Sequence, residues 1–89
     1  MKAIVTVVGK DRIGIIASVC SLLAAEKVNI LDISQTVMQG YFTMMMAVVT
    51  AKSEIPFVEL AQKLEAKGEE MAMSIRLQRE DIFDAMHKV

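Results

Sequence analysis

The chain has one cysteine, one proline, one histidine and no tryptophan in 89 residues, and each scarcity closes a class of function. A single Cys forms no internal disulfide. Cys20 sits in an apolar stretch with no basic neighbour to favour a thiolate, so it reads as core, and the chain reads as cytoplasmic. His87 is alone near the end and has no second ligand with which to build a metal site. Aromatic residues make up 4% of the chain, too few for a base-stacking surface, and the ten Lys and Arg are scattered among eleven Asp and Glu. Nucleic acid is therefore not expected as a partner. The first apolar run, Ala3 to Val8, is broken by Thr6 and followed by Lys10-Asp11-Arg12, which fits neither a signal peptide nor a membrane span. No Ser/His/Asp set, carboxylate pair or phosphate-cradling loop can be found, so neither an enzyme nor a cofactor is predicted.

Apolar residues are abundant, at 54% against 24% charged, which implies apolar surface covered by a second subunit. The run Lys2–Val8 is apolar at both parities and predicts a central strand. A helix from about Ile13 to Glu26 has no charge between Arg12 and Glu26. Its Ile16-Val19-Cys20-Leu23 stripe is expected to face the sheet, leaving Ala17, Ala24 and Ala25 as a flat surface for a neighbour. A second strand starts at Val28 and carries Asp32, Ser34 and Thr36 on one face, as an edge strand would. Gln39-Gly40 predicts a tight hairpin into a central strand over Tyr41–Thr50. Ser53 is expected to cap a second helix with Phe57, Leu60, Ala61 and Leu64 inward, and Gly68 to end or weaken it. Alternation over Met71–Gln78 predicts a fourth, edge strand. The order βαββαβ gives an α+β, ferredoxin-like sandwich: a four-stranded antiparallel sheet with two helices on one face. Residues 1–78 form that domain, and 79–89 form a short C-terminal helix with Ile82, Phe83 and Met86 on one side.

The turn Gly9-Lys10-Asp11-Arg12-Ile13-Gly14 joins the first strand directly to the first helix. Such a junction leaves the helix's first backbone N–H groups unpaired and facing outward, where a carboxylate can sit. Asp11 can take an ammonium, and Asn29 offers both a donor and an acceptor. Taken together these groups suit an α-amino acid.

Asp11-Arg12-Ile13-Gly14-Ile15-Ile16 and Val28-Asn29-Ile30-Leu31-Asp32-Ile33 resemble the two hallmark segments of the ACT domain, over roughly residues 2–78. The whole chain is similar to stand-alone single-ACT-domain bacterial proteins, and more loosely to the ACT domains of glycine-cleavage regulators. The resemblance implies a regulatory homodimer without catalysis. Its ligand site would comprise Asp11, Arg12, Ile13, Gly14 and Ile15 of one subunit with Asn29 and Ile30 of its neighbour. It also implies that the signal passes to a metabolic enzyme or regulator. Against this stands an interaction module in which the turn is structural and the sheet face or the terminal helix docks another protein.

Overall fold

The computed structural model describes residues 2–10 and 14–81. Its elements run β1 (Lys2–Lys10), α1 (Ile15–Ala25), β2 (Asn29–Met38), β3 (Tyr41–Val49), α2 (Phe57–Met71) and β4 (Ser74–Arg79). The strands form one antiparallel sheet in the order β2-β3-β1-β4. This is the ferredoxin-like arrangement expected from the sequence, with β1 and β3 central and β2 and β4 at the edges. The expected terminal helix falls mainly on residues 82–89, outside the described residues.

Period-two alternation decides which face is core. Ala3, Val5 and Val7 of β1, Phe42, Met44, Met46 and Val48 of β3, and Ile75 and Leu77 of β4 are all buried. They meet Ile15, Val19 and Leu23 of α1 and Leu60 and Leu64 of α2 in one cluster, so both helices lie on that face. Cys20 packs at its margin, as a core thiol should. The opposite face carries Ile4, Thr6 and Val8 of β1 beside Met45 and Ala47 of β3.

The hairpin forms where expected. Gln39 and Gly40 both have positive φ, at 50° and 83°, which matches the right-handed twist of the flanking strands. The α1 stripe is rotated from expectation by less than one residue's turn, toward the flank that meets α2. Ile15 is buried, whereas Ile16 is 37% exposed. Leu22 is half-buried, and Glu26 binds Lys63 of α2 at 2.8 Å, so this flank of α1 faces α2. Ile16, Cys20 and Ala24 therefore lie on the other flank, toward β2.

Ser53 is not the cap of α2. The helix starts at Phe57 with Pro56 as its extended N-cap residue, at ψ 152°, and no side chain caps it. The reason lies in Pro56 itself, whose ring disfavours helical backbone in the preceding Ile55. Ser53 instead donates its N–H to the Thr50 carbonyl at 3.0 Å.

Gly68 does not end α2. It is buried one turn before the C-terminus, where a Cβ would stand 2.6 Å from the Met73 carbonyl oxygen. Beyond it, the Met73 N–H donates to the Gly68 carbonyl at 2.7 Å and the Ala72 N–H to that of Glu69 at 3.2 Å. This is a Schellman ending with Ala72 left-handed at φ 57°. α1 ends the same way: Val28 donates to Leu23, Lys27 to Ala24, and Lys27 has φ 60°.

Candidate ligand-binding site

The four predicted site residues that are described, Gly14, Ile15, Asn29 and Ile30, fall in two places, at the start of α1 and at the start of β2. At one end Gly14 precedes α1 with φ 84° and ψ 3°, a left-handed conformation that only glycine adopts without strain. No side chain caps this helix, and its first turn contains no acidic residue. The Gly14 carbonyl accepts the Ser18 N–H at 2.9 Å, so the N–H groups of residues 15–17 precede the helix's own ladder from Gly14 onward. They carry the positive end of the helix dipole. The Ile15 side chain is buried in the core, which leaves only its backbone for a ligand. Asp11, Arg12 and Ile13 lie outside the described residues.

At the other end, Asn29 opens β2 opposite Val49, and Val49 is opposite Lys2 at the start of β1. Lys10, just before the turn, is opposite Tyr41 at the far end of the sheet. Eight residue steps along β1 separate these rows, about 27 Å at the usual rise of a strand. Asn29 is exposed, while Ile30 is half-buried and packs against the core on the helix side. Within one chain the Lys10 end of β1 and Asn29 are too far apart to share a small ligand.

Asn29 lines a cavity of about 490 Å³ together with Lys27, Val28, Val49, Ala51 and Lys52. Neither lysine stands out in the sequence, where they are 25 positions apart. The signal that locates them is the hairpin: counting outward from Gln39-Gly40 puts residue 27 level with residue 52. The observed pairing keeps that register from Met38↔Tyr41 to Asp32↔Ala47 and shifts by one at Leu31.

Between the two ends runs an uncovered apolar strip. β2 is paired only to β3 among the described strands, and every residue from Leu31 to Met38 is exposed. Ile33 and Val37 lie on the helix side, opposite Met46 and Phe42, yet are 42% and 57% exposed, because neither α1 nor α2 covers them. Ile16 and Ala24 of α1 are exposed as well.

Among the described residues no cluster of His, Cys, Asp and Glu could hold a metal ion. None of the described helices is long and apolar enough to cross a membrane.

A family model of the ACT domain matches residues 2–78. A UPF0237 protein of Clostridium acetobutylicum is 52% identical over 89 residues, the full length of both chains. An ACT domain protein from Streptococcus pneumoniae matches in structure with a TM-score of 0.82 at 46% identity, over 98% of each chain. A candidate glycine cleavage system transcriptional repressor matches with a TM-score of 0.71 at 24% identity, over 86% of this chain and 44% of its own, a likeness of fold alone. The chain belongs to the ACT domain family.

Proposed function

We propose that the protein is a non-catalytic regulatory module that binds an amino acid at the seam of a homodimer. The observation that carries this reading is the separation of Gly14 and Asn29 to opposite ends of one chain, with an uncovered apolar strip between them. A two-fold axis beside β2 would run the β2 and α1 elements of two copies antiparallel. The Gly14 turn of one copy would then face the Asn29 end of the other, twice per dimer. N–H groups at the start of α1 would receive the carboxylate, Asp11 the ammonium, and Asn29 from the second copy would close the site. Arg12, Ile13 and Ile30 would line it. Binding favours one dimer geometry by its differential affinity, and a metabolic enzyme or regulator would read that geometry.

Thermal melts against each of the twenty amino acids at millimolar concentration test the reading. One or two related amino acids should raise the midpoint. Asp11→Ala should remove that shift and leave the dimer intact; if it responds as the parent does, the site assignment is wrong.

A second reading is favoured by the sheet face opposite the helices, where Val8, Met38, Tyr41 and Met45 are exposed. Such a patch suits a protein-docking module that binds no ligand. A flat amino-acid panel would favour it.

A further inference from the structure

We infer that the ligand is an acidic amino acid whose distal carboxylate is held by Lys52 and Lys27 at the start of β2. This deepens the amino-acid-binding reading and rests on it. The cavity at Asn29 has a volume typical of small-molecule sites, about 490 Å³. Its lining is divided by chemistry. Val28 is buried and Val49 half-buried, and with Ala51 they give an apolar wall. Lys27, Lys52 and Asn29 are exposed and supply the polar groups. A methylene stem against the wall and a carboxylate among the polar groups would satisfy both parts.

The charge balance gives the sign of the ligand. Lys27 binds Glu54 at 2.5 Å, but the two side chains are 61% and 76% exposed, so water and salt screen the pair and a ligand can displace it easily. Lys52 makes no ion pair among the described residues. Among the described residues, one positive charge is therefore unpaired in the cavity that Asn29 also lines. The cavity along α2 and β4 instead has Glu65 and Glu69 against Arg76, which would repel an anion. The groove between the helices offers Ser18, Ser21 and Lys67, but Lys67 already faces Glu70 at 3.6 Å. Of these three cavities, only the one at Asn29 joins an apolar wall, an amide and an unpaired cation.

A carboxylate gains a charge-assisted hydrogen bond where its neutral amide gains an ordinary one. The acid should therefore bind about tenfold more tightly than its amide. The test titrates the full chain with aspartate, glutamate, asparagine, glutamine and succinate, for the parent and for Lys52→Gln, by calorimetry and thermal melts at low and high salt. The expected result is binding of aspartate or glutamate about tenfold more tightly than of the matching amide, weakened by salt. In K52Q that preference should disappear while the unliganded midpoint is unchanged, because Lys52 is exposed. A second variant, Lys27→Gln, should reduce the same preference.

Equal affinity for acid and amide, or preference for an uncharged amino acid, would overturn the inference and leave the amino-acid-binding reading standing. Succinate binding as tightly as glutamate would overturn it too, because the ammonium would then contribute nothing. No response to any amino acid would remove both.

Discussion

Replacing Gly68 with Ala sets two effects of opposite sign against each other. In the middle of an exposed helix, Gly→Ala stabilises by about 1 kcal/mol. Gly68 is not exposed, however: its new Cβ would lie 2.6 Å from the Met73 carbonyl oxygen, 3.1 Å from Ile75 Cγ1 and 3.2 Å from the Ile75 backbone nitrogen. Two of these atoms are backbone, so no rotamer change relieves the contact. Either α2 moves away from β4, or the Schellman turn opens and the 2.7 Å bond from Met73 to Gly68 is lost. Overpacking of this kind costs about 1–3 kcal/mol, and a broken turn bond adds about 1 kcal/mol. The steric terms exceed the propensity gain, and G68A should be less stable by about 1–3 kcal/mol. In a domain of this size the midpoint should fall by roughly 5–20 °C. Circular dichroism melts and urea titration would measure it, with Glu69→Ala, an exposed neighbour, as the control. A G68A protein melting at or above the parent would refute the close approach of α2 to β4.

Three further outcomes follow from the same geometry. Ala72 is left-handed at φ 57°, so Ala72→Gly should raise stability by about 0.5–1 kcal/mol, read in the same melts. Ile33→Glu on the uncovered strip should weaken the proposed dimer at least about thirtyfold by analytical ultracentrifugation, since an isologous interface loses about 1 kcal/mol of burial twice; an unchanged dimer would move the proposed interface off β2. The Lys63 ammonium is held above its ordinary 10.5, first by its hydrogen bond to Glu26 and then by the charge of that carboxylate. Its contribution is complete below 10.5 and is lost as pH rises through the raised value, so the midpoint difference between parent and Lys63→Met should be constant from about pH 6 to about pH 9 and close only in stronger alkali.

Much of the fold was legible because burial leaves a direct trace in residue pattern. Apolar residues at both parities marked β1 and β3 as central, the polar face of Asp32, Ser34 and Thr36 marked β2 as an edge, and Gln39-Gly40 marked the hairpin. What failed were boundaries and phase. Ser53 looked like a cap, but the restriction that Pro56 places on Ile55 delays the helix to Phe57. The spacing on α1 suits Ile16 inward as well as Ile15, and packing against α2, through the flank that carries Leu22 and Glu26, selects Ile15. Gly68 read as a weak point because its partner, the Met73 backbone, is brought near only by the chain reversal at Ala72. Of the site, the uncapped start of α1 was visible as a turn between strand and helix. Lys27 and Lys52 were not, because their proximity follows from hairpin register rather than from any local motif.

The distance between the Gly14 turn and Asn29 also constrains how such a site must behave. A site completed by two copies exists only in the dimer, so ligand affinity and dimer affinity are linked and each changes the other by the same factor. If aspartate or glutamate binds only the assembled seam, diluting the protein below its dimer dissociation constant must lower the apparent ligand affinity. Saturating ligand must in turn tighten the dimer by the same ratio. A site complete within one chain has neither dependence, whatever its affinity. Ligand titrations at two protein concentrations either side of the dimer constant, with ultracentrifugation at zero and saturating ligand, give both ratios. If ligand affinity is the same at both concentrations, the seam is not the binding site, and the ligand must be held by groups of one chain alone.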